Sequence, residues 1–349
     1  MITKRNLTIN QLETLQSFIK LNQETYLCSY RNAYYLDKLL KRGCKSIPEL
    51  VSFLSGEFSS SKKALAVKPS SFGCTSFNVI APGNEYLFAR NFDFINAPCM
   101  VLWTHPQGGF KSIGICDMNA MLYGVKFRNP DNVKDSVKLL TAPYICVDGI
   151  NEKGLSIAAL GLNSKPVFCN TGKKPLISTV AVRAVLDKCA SVNEAVDLFK
   201  GYDIRDSFGC CFHYQVTDSE GKSVVIEYVE NEIRVIDKPV SESASCKTQV
   251  LTNFFLSPDG YNINATGYDR YDIVKNDIIS NNMIYSDKET MRLLSECAVD
   301  YREKFRNIKT LWSAVYNNTQ KTLDLCTGMD YSRRYRFDIS NPCKYAIVK

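Results

Sequence analysis

The chain has 349 residues, of which 45% are apolar and 23% are charged, so it can bury a sizeable core in one large domain with or without an appendage. The formal net charge of +7 is unevenly placed, because residues 1–73 hold 11 Lys/Arg against 5 Asp/Glu whereas residues 74–349 hold 32 against 31. The near-zero net charge of residues 74–349 argues against a surface that binds nucleic acid. No apolar run is long enough for a membrane span. No apolar segment follows the basic N-terminal residues, so we predict no secretory signal and a cytoplasmic location.

Residues 1–73, called the leader below, are predicted to be helical. Thr8 and Gln11 have the spacing of a capping box, and apolar residues then recur at helical spacing as far as Gly43. A second helix is predicted from Ser46 to near Gly56. Amphipathic helices need a surface to lie on, so the leader is either a permanent helical subdomain or a propeptide that covers a site until it is cut.

A polar segment that contains Pro and Gly, residues 59–73, joins the leader to Cys74. Such segments are exposed and are preferred sites of chain cleavage. If the bond between Gly73 and Cys74 were broken, Cys74 would gain a free α-amine. An α-amine has an ordinary pKa of about 8 and can accept the proton of the adjacent thiol, so nucleophile and base would belong to one residue.

The stretch after Cys74 is predicted to be a β-hairpin. Two runs rich in aromatic and β-branched side chains, residues 75–81 and 85–94, flank a Pro-Gly-Asn turn. The hairpin brings Arg90 and Asp93 back toward Cys74, where a guanidinium would favour the thiolate. An exposed ion pair would contribute under ~1 kcal/mol, but a charge in so apolar a strand is costly unless it is paired.

The rest of the chain is predicted to contain strand pairs separated by helices. The strand pairs are Pro98 to Thr104 with Phe110 to Cys116, Pro143 to Val147 with Leu155 to Leu162, Phe212 to Thr217 with Ser223 to Val229, and Leu311 to Tyr316 with Leu323 to Cys326. The helices are Thr179 to Lys188, Ser191 to Gly201, Arg270 to Asn281 and Glu289 to Val299. A basic cluster at residues 331–336 is interpreted as a solvated strand edge. This order predicts an α+β fold with two stacked antiparallel sheets and helices outside them.

Five motifs in this order carry a resemblance to a known family. They are Gly-Cys-Thr-Ser-Phe at 73–77, Arg-Asn-Phe-Asp at 90–93, Asp-Gly-Ile-Asn-Glu-Lys-Gly-Leu at 148–155, Val-Leu-Thr-Asn at 250–253, and Arg270. The combination resembles the linear-amide C–N hydrolases of the N-terminal-nucleophile superfamily, which include choloylglycine hydrolases, penicillin V acylases and, more distantly, acid ceramidase-like amidases. The resemblance implies a four-layer αββα sandwich, with residues 1–73 as an autocleaved helical propeptide and residues 74–349 as the amidohydrolase domain.

The resemblance also implies roles for particular side chains. Cys74 would be the nucleophile, Arg90 would lie near the thiolate, and Asp93 would orient the amine and the substrate. Asn253 would donate to the oxyanion, as an amide after an apolar strand can do, and Arg270 would be an active-site arginine.

The resemblance also implies that three further positions belong to the oxyanion or substrate region. Asn151 is equally well explained as a turn residue. The bile salt enzymes have an asparagine soon after this turn, and ungapped counting places Gly161 there, with Asn163 two residues later. The long leader also departs from the bile salt hydrolases and favours another N-acyl substrate.

The function expected from these residues is hydrolysis of a linear amide in a small N-acyl molecule through a thioester, with no metal or cofactor. The alternatives are an acyltransferase with another acceptor, a cysteine–histidine hydrolase using His105 or His213, and a non-catalytic protein that binds acyl ligands. The chain has 14 cysteines without a Cys-x-x-Cys pair, which indicates reduced core thiols and does not favour zinc. The sequence leaves open whether the chain forms a homo-oligomer.

Overall fold

The computed structural model describes residues 7–57, 73–95, 97–118, 138–207, 209–240, 248–262, 264–281, 284–301 and 308–348. The segment interpreted as a cleavable linker, apart from Gly73, lies outside these residues. No helix in the described ranges is long and apolar enough to cross a membrane. The described cysteines are all free, and all but Cys343 are buried, in keeping with reduced core thiols.

The strands and helices are numbered in chain order. The strands are β1 Ile19–Lys20, β2 Thr25–Tyr30, β3 Gly73–Ala81, β4 Glu85–Ile95, β5 Cys99–Thr104, β6 Ser112–Asp117, β7 Cys146–Asn151, β8 Ser156–Leu162, β9 Pro175–Ile177, β10 Asp203–Arg205, β11 Cys211–Thr217, β12 Ser223–Val229, β13 Glu232–Ile236, β14 Val250–Leu251, β15 Ile308–Asn317, β16 Thr322–Thr327, β17 Arg334–Asp338 and β18 Ala346–Val348. The helices are α1 Ile9–Gln16, α2 Leu36–Arg42, α3 Ile47–Glu57, α4 Ser178–Lys188, α5 Val192–Gly201, α6 Tyr268–Ser280 and α7 Asp287–Glu296, with a 3₁₀ helix at Leu139–Ile145.

Two large sheets form the centre of the molecule. One has nine strands in the order β1-β2-β5-β6-β7-β8-β11-β12-β13, and the other has seven in the order β14-β3-β4-β15-β16-β17-β18. One apolar cluster joins side chains of both sheets, such as Val101 and Ile115 with Phe92 and Trp312. The sheets therefore pack face to face.

Helices cover the outer faces of both sheets. On the nine-stranded sheet, α4, α5 and the leader helices contribute to one apolar cluster, whereas on the seven-stranded sheet α6 and α7 contribute to another. The order helices, sheet, sheet, helices confirms the predicted α+β class and the αββα layers. Apolar burial on both faces of each sheet supplies the main stabilising term.

The leader is not wholly helical, and this corrects the sequence prediction. The Thr8 capping box, α2 and α3 are present, but residues 25–30 form strand β2, which pairs in parallel with β5 and is buried along its whole length. These residues are mostly β-branched or aromatic or small, and a neighbouring strand edge satisfies their backbone groups. The leader is therefore part of the sheet as well as of the helical layer.

Two other predictions also need correction. The segment Pro143 to Val147 is mostly a 3₁₀ helix, and strand β7 begins only at Cys146, so the predicted turn at Asp148 is strand. Proline has no N–H for a sheet ladder, which explains the later start. The basic cluster at 331–336 is not a solvated edge, because β17 lies between β16 and β18 and Arg336 donates to Asp324.

Candidate active site

The predicted hairpin is confirmed, and it places Cys74, Arg90 and Asp93 side by side. In the ladder between β3 and β4, Gly73 lies opposite Asp93 and Ser76 lies opposite Arg90. A Cβ added to Gly73 would lie 2.8 Å from Asp93 Oδ2, closer than side-chain carbons approach oxygen. Only glycine therefore fits before Cys74 without displacing the carboxylate.

The Arg90 guanidinium lies against the Cys74 thiol. Arg90 Nη2 is 3.4 Å from Cys74 Sγ and donates to the Ala159 carbonyl at 3.1 Å, while Nη1 donates to Asp148 Oδ2 at 2.6 Å. Trp312 Nε1 donates to the same carboxylate oxygen at 3.0 Å. Arg90 is on the seven-stranded sheet and Asp148 on the nine-stranded sheet, so the pair joins the sheets at the thiol.

Burial and charge act in opposite directions on this pair. Burial alone lowers the pKa of Arg90, but the Asp148 carboxylate and Cys74 raise it, and the net shift is upward. Burial raises the pKa of Asp148, and Arg90 is the main influence opposing that rise. Arg90 and Asp148 are both charged, because arginine keeps its proton in proteins and a buried cation without a carboxylate partner is costly. Such a cation stabilises a thiolate on Cys74.

Asn253 reaches Cys74 because strand β14 pairs with β3, with Leu251 opposite Ser76. Its Oδ1 accepts the Cys74 backbone N–H at 2.9 Å, and its Nδ2 donates to the Gly161 carbonyl at 2.7 Å. A side-chain amide carries two N–H hydrogens, and within the described part of the chain only one of them is used. The second has no acceptor among the residues that the structure describes.

Arg270, in the first turn of α6, ties the other site groups together. Its guanidinium donates to Asn253 Oδ1 at 2.7 Å, to Thr75 Oγ1 at 3.1 Å, to Asp93 Oδ2 at 3.4 Å and to the Cys74 carbonyl. Burial raises the pKa of Asp93, and Arg270 is the main opposing influence. Gly267 begins α6 at a φ of +91°, where a Cβ would lie 2.7 Å from Arg270 Nη2, so glycine leaves room for the guanidinium.

The family model of the linear amide C–N hydrolases, choloylglycine hydrolase family, matches residues 74–292. The chain belongs to this family. It is a hydrolase that acts on C–N bonds of linear amides other than peptide bonds, as the sequence motifs predict.

Solved structures of the choloylglycine hydrolase family share the fold. Two variants of the conjugated bile acid hydrolase from Clostridium perfringens superpose with a TM-score of 0.56 at 16% identity, over 79% of this chain and 96 to 97% of theirs. Penicillin V acylase from Agrobacterium tumefaciens superposes with a TM-score of 0.53 at 19% identity, over 77% of this chain and 87% of its own. At these identities the likeness concerns the fold.

The other predicted residues of this family member are not gathered at the thiol in the same way. Gly161 lies beside Asn253, because its carbonyl accepts a hydrogen bond from Asn253 Nδ2. Asn151 holds the turn after β7, since its Oδ1 accepts the N–H groups of Lys153 and Leu155, and its Nδ2 donates to the carbonyls of Leu186 and Cys189. Asn163 is exposed and donates to the Asn264 carbonyl.

Asp148 and Trp312 are site residues to which the sequence motifs assign no role. Asp148 is part of the 148–155 motif, but it lies just after the end of the predicted strand Pro143 to Val147, and no partner is predicted for it. The sequence does carry a signal for Asp148. Like Arg90, Asp148 is a charged residue within an apolar run, in this case Cys146 to Ile150. Trp312 carries no such signal, because an indole in a strand is ordinary core.

Proposed function

We propose that this chain cuts itself between Gly73 and Cys74 and that the exposed Cys74 then hydrolyses the amide of a small N-acyl substrate through a thioester. Cys74 is the nucleophile, Arg90 stabilises its thiolate, and Asn253 with Arg270 and Asp93 arranges the reacting groups. The observation that carries the proposal is the convergence of a guanidinium and a side-chain amide on one buried cysteine.

In the first reaction the Cys74 thiolate attacks the Gly73 carbonyl carbon. The peptide nitrogen takes up the proton that the thiol has given up and leaves as the α-amine of Cys74, and the Gly73 acyl group is held as a thioester until water releases it as a carboxylate. The position of Gly73 opposite Asp93, in the same strand as Cys74, supports cleavage at this bond. The family match begins at Cys74, which supports a mature chain that starts there.

In the second reaction the α-amine accepts the thiol proton, and the thiolate attacks the substrate carbonyl. The Asn253 Oδ1 that accepts the Cys74 N–H in the uncut chain can accept an N–H of the amine after cleavage. The second Asn253 hydrogen can donate to the oxyanion. The substrate amine leaves with the proton, and water then attacks the thioester to release the acid.

Intact mass and N-terminal sequencing of the purified protein test this proposal. The wild type should yield a chain that begins at Cys74, whereas Cys74→Ala should stay full length because it has no thiol. Cys326→Ala, which removes another buried thiol in β16, is the matched control and should be cut normally. Release of free amine from a panel of N-acyl amides should follow the fraction cut. An active wild type that remains uncut would contradict the proposal.

A further inference from the structure

Strand β11 presents an unusual polar face to the other sheet. His213, Gln215 and Thr217 alternate along this strand and are fully buried. Gln215 Oε1 accepts from Ser76 Oγ at 2.6 Å, two residues after the nucleophile. Alternate residues of a strand lie on one face, so His213 belongs to the same face and points toward the chain that follows β14.

Both ring nitrogens of His213 face hydrogen-bond acceptors. Nδ1 lies 3.1 Å from Glu227 Oε1, and Nε2 lies 2.8 Å from the backbone carbonyl oxygen of Thr252. A carbonyl can only accept, and an ionised carboxylate can only accept. The arrangement is therefore satisfied when both nitrogens carry a proton and the ring is an imidazolium.

The partner carboxylate is held in its ionised form by several donors. Glu227 Oε1 also accepts the Leu256 N–H at 2.8 Å, and Oε2 accepts the Ser257 N–H at 2.9 Å and its hydroxyl at 2.6 Å. Burial alone raises the pKa of Glu227, but the hydrogen bonds from His213 and Ser257 outweigh it, and the net shift is downward. A buried carboxylate with this many donors stays charged.

One charged pair thus holds both ends of a short segment. His213 binds residue 252 and Glu227 binds residues 256 and 257, while Asn253 lies between the two attachments. Asn253 in turn bonds Cys74 and Gly161. A shift of the 252–257 segment would therefore move the amide that we propose as the oxyanion donor.

We infer that the His213–Glu227 pair is a positioning device that sets Asn253 for turnover, and that His213 is not a general base. The inference rests on the proposed role of Asn253. A base in a cysteine–histidine hydrolase needs one unprotonated ring nitrogen directed at the thiol, and in the described structure both nitrogens are directed elsewhere. His105, the other histidine, is exposed.

Substitution of His213 separates positioning from proton transfer. His213→Leu removes the donor to Thr252 and should lower kcat by about 10²-fold with KM nearly unchanged, because misplacement of a catalytic group by about 1 Å has that cost. His213→Gln restores an N–H donor without a base and should recover most of the loss. A His213→Gln variant as inactive as His213→Leu, with a normal far-ultraviolet spectrum, would overturn the positioning role.

Thr217→Val is the matched control on the same polar face. Thr217 Oγ1 donates to Ser223 Oγ at 3.1 Å, and the bonds from His213 and Glu227 to the 252–257 segment do not involve Thr217. We expect its kcat to match the wild type even if its stability falls. A loss of kcat equal to that of His213→Leu would show that any polar deletion on β11 disturbs the site, and the specific inference would fail.

Nitrogen NMR of the intact protein tests the inference without a measurement of activity. The chain has two histidines, so ¹⁵N-histidine labelling gives two ring systems, and the exposed His105 provides an internal reference. We expect protons on both nitrogens of His213 while the ring bonds Glu227 and the Thr252 carbonyl, and Glu227→Gln should change that pattern. One bare nitrogen on His213 would overturn the inference. Failure of the proposed function would instead appear as an uncut, inactive wild type with the same NMR pattern.

Discussion

Two buried Arg–Asp pairs in this chain look alike but have different surroundings. Arg90 and Asp148 are fully buried and bond at 2.6 Å, and Arg183 and Asp187 are almost as completely buried and bond at 2.7 Å. Burial raises the pKa of both aspartates, and the arginine beside each opposes that rise. Burial and electrostatics alone therefore do not separate the two pairs.

The partners of each pair separate them. Arg183 and Asp187 lie one turn apart on α4, and their other bonds run to Ser112 and to the leader residue Tyr34. Arg90 and Asp148 come from different sheets, and Arg90 also reaches the Cys74 thiol and the backbone carbonyls of Ala159 and Val147. A perturbed buried ion pair indicates a functional site only when it also contacts a group that can react. The Arg183 pair is structural on this criterion.

Loss of one charge from either pair should have the largest effect on stability. Arg90→Met and Arg183→Met each leave a buried carboxylate without its cation, and we expect each to lower the free energy of unfolding by about 3–5 kcal/mol. Urea unfolding in a Cys74→Ala background keeps both chains uncut and comparable. In the active background only Arg90→Met should lose kcat per folded molecule, and a similar loss in Arg183→Met would erase the distinction.

Two buried asparagines, Asn253 beside Cys74 and Asn151 beside the end of α4, allow a second comparison of catalytic and structural roles. Asn253→Ala should lower kcat by roughly 10² to 10³, the usual cost of one oxyanion donor, with KM nearly unchanged. Asn151→Ala, which affects the turn beside the C-terminal end of α4, should lower stability and keep kcat. Co-expression of residues 1–73 with a chain of Met followed by residues 74–349 exposes Cys74 without self-cleavage. Near-normal kcat for Asn253→Ala in that form would leave the oxyanion to other donors.

The charge of Arg90 should be visible in the pH profile. Arg90→Leu removes the cation beside the sulfur, so the acidic limb of kcat/KM should move to higher pH. Arg90→Lys keeps a charge without the planar fork and should move the limb less. An unchanged limb in Arg90→Leu would remove Arg90 from the chemistry at the thiol.

Loss of the second donor to each carboxylate should have the smallest effect. Tyr34 Oη bonds Asp187 at 2.6 Å and Trp312 Nε1 bonds Asp148 at 3.0 Å. Tyr34→Phe should lower stability by about 1.5–3 kcal/mol, the range for hydrogen bonds to charged groups, with kcat unchanged. Trp312→Phe should lower stability similarly and also reduce kcat/KM. Equal kinetics for the two variants would contradict the assignment of the pairs.

The sequence predicts those parts of the site that depend on nearby residues. Cys74, Arg90 and Asp93 follow from one hairpin, whose turn and alternation are readable locally. The Arg90–Asp148 bond joins positions 58 apart on different sheets, and no local pattern encodes that pairing. The position of Asn253 depends on the pairing of β14 with β3, which only the family resemblance anticipates. Strand β2 is missed for the same reason, because its partner β5 is distant and parallel.

The parallel pairing of β2 with β5 has a consequence for a molecule cut at Cys74. The leader strand lies between β1 and β5, so cleavage would leave two polypeptides that share one sheet and one apolar cluster. Unfolding would then separate two species, and mass action would make the midpoint of thermal unfolding rise with protein concentration. The uncut Cys74→Ala chain would unfold as a single species, with a midpoint independent of dilution.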